Sequence, residues 1–137
     1  GDGFERAALE QQIETLSASG KAKLLGHRED ISALMAAADL FVISSHYEGC
    51  PYTLVEALHM HLPVVSTEVG AMPEILPAQY LCPPGDAGAL GHLIAKALAD
   101  IDSLRAAFVP VFEYASRSLT FTTLLDQTEA VYRELGA

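Results

Sequence analysis

Short runs of apolar residues alternate along this chain with longer segments in which apolar residues recur every three or four positions. Short unbroken runs are typical of buried strands, and the longer spacing is typical of helices with one buried face. Strands are predicted over residues 22–25, 39–43, 63–67 and 80–82. Helices are predicted over residues 5–17, 31–37, 51–60, 87–99, 102–117 and 121–135, with a short turn over 74–76. Single helices between short strands indicate an α/β fold, with a parallel sheet and helices on both of its faces.

Residues at the predicted helix ends support these bounds. Asp30 and Asp86 are suited to accept hydrogen bonds from the first free N–H groups of the helices that follow them. Gly20 ends the first helix. Pro51 suits the first position of a helix, where its missing N–H costs nothing. The polar loop 44–49 therefore leads directly into a helix.

In parallel sheets of this kind, ligands bind beyond the carboxyl ends of the strands. Four loops are predicted at those ends, over residues 26–30, 44–49, 68–72 and 83–85. The candidate site is therefore expected where these loops meet.

Loop 44–49 and the helix after it form a candidate phosphate and hydroxyl site. The free N–H groups and the dipole of a helix N-terminus suit a phosphate, and Thr53 can add a hydroxyl. Gly49 permits a close approach of the backbone to a ligand, or a positive φ. Glu56 lies roughly 7 Å along the helix from its start, so Glu48 and Glu56 could accept hydrogen bonds from hydroxyls at opposite ends of an elongated ligand. Taken singly, each glutamate is also explained as an exposed, solvated side chain.

The charge distribution argues against a nucleic-acid partner. The chain has 18 acidic and 8 basic residues, a formal net charge of −10, and no lysine or arginine between Arg28 and Lys96. A nucleic-acid groove needs clustered cations. The apolar runs are much shorter than the roughly 20 residues of a membrane span, and the first residues do not resemble a leader peptide. These features predict an acidic cytoplasmic protein.

The spacing of cysteines and histidines predicts neither a metal site nor a disulfide. Cys50 and Cys82 are 32 positions apart and match no zinc spacing or disulfide framework. His59 and His61 are two positions apart, so on a helix they would face different sides and could not share a metal. His46, in the polar loop, is a candidate ligand contact, although many loop histidines are only solvated.

Seven short segments of the chain resemble segments of a known protein family. They are LLGH (24–27), ADLFVISS (38–45), EGCP (48–51), VEAL (55–58), LPVVST (62–67), VG (69–70) and PEI (73–75). In this order and spacing they resemble the C-terminal domain of the retaining glycosyltransferases that have two Rossmann-like domains, the GT-B fold. Residues 121–135 are similar to that family's closing helix. Glu48 and Glu56, eight positions apart, match the family's E-x7-E motif.

The resemblance implies that the polar loop binds the donor sugar. Glu48 would be the catalytic residue and would face hydroxyls of the sugar. The N–H groups around Gly49 and Cys50 would face the sugar and the phosphate, with Pro51 beside them. Glu56 would bind the ribose diol.

The resemblance also implies binding residues for the diphosphate and for the nucleotide base of the donor. The N–H groups of Leu54 and Val55, with Thr53 as their neighbour, would lie against the diphosphate. His27 and Arg28 would line the nucleotide base. The donor would need no obligatory metal and no other cofactor, because the helix dipole and basic side chains would replace the metal.

The implied activity is transfer of a sugar, with retention, from a nucleotide-diphosphate donor to an acceptor glycan, lipid or small molecule, as in polysaccharide biosynthesis. The resemblance also implies a cytoplasmic enzyme that can associate with the inner face of the membrane. Two alternatives stay open. One is a nucleotide-sugar epimerase of the same fold, and the other is a non-catalytic module that binds sugar nucleotides.

Residues 1–137 resemble only part of the family's nucleotide-sugar-binding domain. The first two strands, an Arg and a Lys that clamp the diphosphate, and the acceptor domain are all expected upstream. We therefore expect this chain alone to be inactive, to bind nucleotide sugars weakly and to have low stability. His61 and Ala71 stand at two positions where the family usually has glycine.

Overall fold

The computed structural model describes residues 2–136, and the chain divides into two compact units between residues 33 and 34. The first unit contains helix α1 (Arg6–Thr15). Helix α2 (Ile31–Ala37) begins directly after Asp30, as predicted. All later elements belong to the second unit.

The first unit is held together by polar contacts around Asp2. Its carboxylate accepts a hydrogen bond from the N–H of His27 at 2.9 Å and one from Arg6 at 2.8 Å. The hydrogen bond from His27 is the main reason that the pKa of Asp2 lies below its ordinary value. Arg6 also donates to the carbonyl of Leu24 at 3.2 Å. Since α1 has no buried residue, the structure of this unit depends more on these contacts than on an apolar core.

The predicted strand over residues 22–25 is wrong. In the first unit, residues 2–33, the only bridge of the β type joins Ser19 and Ala22. A strand needs a neighbour that satisfies its N–H and C=O groups, and this unit supplies none along residues 23–25.

The second unit is built on a three-stranded parallel sheet. Its strands are β1 (Phe41–Ile43), β2 (Val64–Thr67) and β3 (Leu81–Cys82), in the order β1-β2-β3. Phe41 pairs with Val64, and Ser66 pairs with Leu81. The parallel sheet predicted from the sequence is confirmed, although each strand is shorter than its prediction.

Helices alternate with these strands and then close the chain. They are α3 (Tyr52–His59), α4 (Met72–Ile75), a 3-10 turn (Ala78–Tyr80), α5 (Ala87–Ala99), α6 (Ile101–Ser118) and α7 (Phe121–Glu134). Residues 72 and 73 were predicted as loop but form the first turn of α4. No helix between residues 2 and 136 is long and apolar enough to cross a membrane.

Side-chain caps define three of the helix starts. Asp86, as predicted, accepts a hydrogen bond from the N–H of Ala89 at 2.8 Å. Asp100 and Thr120 cap α6 and α7 in the same way, at 3.1 Å each. The prediction that Pro51 is the first helical residue is wrong, because its ψ of 133° is extended and α3 begins one residue later.

The central strand is buried on both of its faces. All four residues of β2 are buried, although successive side chains of a strand point to opposite sides. Helix α3 covers the sheet with Leu54, Ala57 and Leu58, which are all inaccessible to solvent. The predicted arrangement of helices around a parallel sheet is therefore confirmed.

Phe108 of α6 forms the centre of the apolar core. It is fully buried, and its ring lies 4.9 Å from that of Tyr80 and 5.7 Å from that of Phe112. Tyr80 precedes β3 and Phe112 lies one turn further along α6, so these rings connect the sheet with the C-terminal helices.

His61 has the backbone conformation that explains the glycine expected at its position. Its φ is +53°, in the left-handed region that glycine adopts without steric cost. Histidine tolerates this region better than most residues do. Its ring also packs at a tilt against the ring of Phe112, with 5.2 Å between the ring centres.

Candidate functional site

Three of the four predicted loops meet at the carboxyl edge of the sheet. The hydroxyl of Thr67, at the end of β2, donates to the carbonyl of Ser45 at 2.7 Å. The N–H of Ala71 donates to the carbonyl of Gly49 at 2.8 Å. His46 faces Gly85 in the loop after β3, across a cleft of about 190 Å³. The fourth loop, 26–30, belongs to the first unit.

Glu48 is held in place by two hydroxyl groups in succession. Ser45 donates to one carboxylate oxygen of Glu48 at 2.8 Å. Ser45 is itself anchored through its carbonyl by Thr67, which is only 2% exposed. Within residues 2–136, the other carboxylate oxygen of Glu48 accepts no hydrogen bond, so it is available to a ligand.

Four N–H groups around the start of α3 have no acceptor among the described residues. They belong to Gly49, Cys50, Tyr52 and Thr53. No side chain caps this helix. A row of free N–H groups at a helix start, supported by the helix dipole, is a binding site for an anion such as a phosphate.

Leu54 and Val55, whose N–H groups were predicted to lie against the diphosphate, both pack against other parts of the protein. The N–H of Leu54 already donates to the carbonyl of Pro51 at 3.0 Å, and the side chain of Leu54 lies in the core. Val55 is half-buried on the side of α3 that faces Phe121 of α7. Among the first three residues of α3, the N–H groups without an acceptor in the described chain are therefore those of Tyr52 and Thr53.

Glu56 is exposed on the second turn of α3. Over residues 2–136 it takes part in no ion pair and no side-chain hydrogen bond. Along the chain, the free N–H groups are therefore flanked by two glutamates, Glu48 and Glu56, and no lysine or arginine occurs between residues 29 and 95. The second unit thus presents donors for an anion together with acceptors for hydroxyls.

His27 and Arg28 lie in the first unit, where both have acidic partners. The backbone N–H of His27 donates to Asp2. The Arg28 guanidinium donates to Asp30 at 2.7 Å, which raises the pKa of Arg28 and lowers that of Asp30. The assignment of His27 and Arg28 to the nucleotide base stays a prediction.

Three residues at this edge were not predicted to have a role. Ser45 and Thr67 orient the Glu48 carboxylate, and Gly70 lies against the backbone of Glu48 and Gly49. The sequence shows that polar and glycine residues follow β1 and β2, but not that they contact each other. In the part of the chain that the structure describes, no three His, Cys, Asp or Glu side chains converge as a metal site would require.

The two thiols are expected to react with a maleimide at very different rates in the folded protein. Cys50 is exposed, whereas Cys82 is 4% exposed. Burial, together with the charge of Asp86, raises the pKa of the Cys82 thiol. The reactive species is the thiolate, so a raised pKa and poor access both slow Cys82. Peptide mass spectrometry after timed labelling measures the two rates, and denatured protein, in which both should react, is the control. Equal rates in the folded protein would contradict the burial of Cys82.

Comparison with known protein families identifies relatives of this chain. The family model of the glycosyl transferases group 1 matches residues 1–100. N-acetyl-alpha-D-glucosaminyl L-malate synthase of Bacillus anthracis is 25% identical over 138 residues, which covers 98% of this chain and 36% of that protein.

Solved structures have the same fold. Sucrose-phosphate synthase from Thermosynechococcus elongatus matches with a TM-score of 0.85 at 26% identity, over 98% of this chain and 35% of that chain. Anabaena Alr3699/HepE in complex with UDP-glucose matches with a TM-score of 0.86 at 28% identity, over 98% of this chain and 38% of that one. The chain thus spans little more than a third of the length of these relatives.

Proposed function

This chain belongs to the glycosyl transferases group 1, and we propose that it forms the donor-binding part of an enzyme that transfers a sugar from a nucleotide-diphosphate donor to an acceptor. One observation carries this proposal: N–H groups without an acceptor in the described chain occur at the start of α3, flanked in the sequence by Glu48 and Glu56. The N–H groups suit a diphosphate, and carboxylates accept hydrogen bonds from sugar and ribose hydroxyls.

The donor is proposed to lie along the start of α3. Glu48 accepts hydrogen bonds from hydroxyls of the donor sugar, and Glu56 from the ribose diol, as in the E-x7-E motif. His27 and Arg28 line the base. The complex of Anabaena Alr3699/HepE with UDP-glucose supports a nucleotide sugar as the ligand of this fold.

Catalysis is proposed to rest on positioning and on stabilisation of the leaving diphosphate. The free N–H groups and the dipole of α3 oppose the negative charge that grows as the glycosidic bond breaks. A helix terminus contributes only about 0.3–1 kcal/mol per nearby charge, up to ~2 in favourable sites. Because Glu48 and Glu56 are themselves negative, the diphosphate also needs cations, which we propose other parts of the complete protein supply without an obligatory metal.

We further propose that transfer proceeds with retention, through an oxocarbenium-like transition state. In this proposal Glu48 helps to hold the donor sugar in position for the reaction. Ser45 and Thr67 hold the Glu48 carboxylate, so its position at the sugar is set before the donor binds. The acceptor is a glycan, a lipid or a small molecule. Its binding, like any association with the inner face of the membrane, depends on parts of the protein outside residues 1–137.

The transfer reaction can be tested with the complete protein and a panel of UDP, GDP and ADP sugars. We expect nucleoside diphosphate to be released only when an acceptor is present, and NMR of the product to show the anomeric configuration of the donor. Release of a nucleoside diphosphate together with an epimerised free sugar would instead indicate an epimerase. Binding of a nucleotide sugar without turnover of any donor would indicate a non-catalytic module.

A further inference from the structure

Gly70 lies in close contact with the backbone of loop 44–49. Its φ is +53°, and a Cβ atom placed on it would lie 2.1 Å from the carbonyl oxygen of Gly49 and 2.6 Å from that of Glu48. Both distances are far below van der Waals contact, which begins at about 3.4 Å. Any side chain at position 70 therefore collides with backbone atoms, which cannot move aside by a change of rotamer.

The direction of the Gly49 carbonyl determines where the N–H of the next residue, Cys50, points. In a trans peptide the N–H is antiparallel to the C=O of the same unit. The carbonyl oxygen of Gly49 is the atom nearest to a Cβ at position 70, and it also accepts from the N–H of Ala71. The N–H of Cys50, on the opposite side of the same peptide, therefore points away from this segment. The N–H of Cys50 is one of the N–H groups that lack an acceptor among the described residues.

The segment that carries Gly70 is anchored on both sides of it. The N–H of Glu68 donates to the carbonyl of Cys82 at 2.8 Å. Met72 is fully buried, and its N–H donates to the carbonyl of Val69 at 3.1 Å. Glu48 and Gly49, by contrast, are exposed. A side chain at position 70 would therefore displace loop 44–49 rather than its own segment.

We propose that Gly70 is a positioning residue of the donor site. Its missing side chain, together with the hydrogen bond from the N–H of Ala71 to the carbonyl of Gly49, keeps the peptide between Gly49 and Cys50 turned so that its N–H faces the donor. The effect on donor binding rests on the function proposed above, whereas the effect on the loop's conformation does not.

The test compares Gly70→Ala with Gly20→Ala in the complete protein. Gly20 also has a positive φ, +89°, but a Cβ there has nothing within 4 Å, so this control carries the backbone strain without the collision. We expect Gly70→Ala to weaken UDP binding, measured by calorimetry, by about 10- to 100-fold, since hydrogen bonds to a charged phosphate are strong and weaken steeply when the N–H turns away. Gly20→Ala should change it by less than about twofold.

A second readout reports on the loop itself. In protein labelled with ¹⁵N-cysteine, and with the signal assigned by Cys50→Ser, the amide of Cys50 should shift in Gly70→Ala and not in Gly20→Ala. A loss of global stability alone would not move this signal in the folded protein. If the wild-type protein binds none of UDP, GDP and ADP, the proposed class of donor is wrong, and the Cys50 amide still decides the positioning role.

Two results would overturn the inference: an unchanged Cys50 amide in folded Gly70→Ala, or a shifted amide with unchanged UDP affinity. If Gly70→Ala does not fold, Ala71→Pro replaces it in the test. The φ of −77° at Ala71 suits proline, and the change removes the N–H that donates to the carbonyl of Gly49. The same amide shift and weakened binding are expected of it, and their absence would equally refute the proposal.

Discussion

Glu48→Gln in the complete protein is expected to lower kcat/KM for the nucleotide sugar by about 10- to 150-fold. A hydrogen bond to a charged group contributes about 1.5–3 kcal/mol, and each ~1.36 kcal/mol corresponds to a factor of ten in rate. The Glu48 carboxylate has one oxygen fixed by Ser45 and one free of protein partners in the described chain. Glutamine keeps the shape of the side chain and removes its charge.

The matching change Glu56→Gln is expected to act mainly on KM. If Glu56 binds the ribose diol, it contacts a part of the donor that does not react, so its contribution is nearly equal in the ground state and in the transition state. Glu48→Gln should lower kcat as well. Initial-rate kinetics with varied donor separate the two effects. Glu134→Gln, a change at an exposed glutamate near the end of α7, is the control and should leave both constants unchanged. Wild-type kinetics for Glu48→Gln would remove this residue from the site.

Phe108→Ala is expected to lower the free energy of unfolding by about 3–5 kcal/mol, the range for truncation of a buried Phe. Phe108 is fully buried between the rings of Tyr80 and Phe112, so its removal leaves a cavity and breaks the contact between α6 and the segment before β3. Such a loss is a large part of the roughly 5–15 kcal/mol that stabilises a typical protein.

Phe121→Ala provides the matched control for this prediction. Phe121 is the same residue type but is 74% exposed at the start of α7. Surface substitutions usually change stability by no more than about 0.5 kcal/mol. Urea unfolding followed by circular dichroism measures both variants. A loss below about 1 kcal/mol for Phe108→Ala would mean that α6 does not pack on the sheet in this way.

The strands and helices of the second unit could be predicted because their signals are local. The apolar run before Ser44 and the one before Glu68 form β1 and β2, and Asp86 caps α5 through an N–H three residues later. The run 22–25 also contains apolar residues but forms no strand. Pairing depends on a neighbouring strand, which composition does not reveal.

In the candidate site, too, some residues could be predicted from local sequence and others could not. Glu48, Gly49 and Glu56 could be singled out from their spacing around a helix start, because the spacing of residues on a helix is a property of consecutive residues. The support given by Thr67 to Ser45 joins residues 22 positions apart. The contact between Gly70 and Gly49 joins residues 21 positions apart, and no local pattern predicts either.

By itself, then, the sequence determined the alternation of strands and helices, the parallel sheet and the residues that follow its strands, since all of these depend on neighbouring side chains and their periodicity. Only the tertiary structure decided that the loops after β1 and β2 contact each other, that the carbonyl of Gly49 is directed at the segment of Gly70 and Ala71, and that the N–H of Cys50 has no acceptor within residues 2–136. The physical reason is that the direction of a peptide group in an irregular loop is set by the atoms packed against it, and those atoms come from distant parts of the chain.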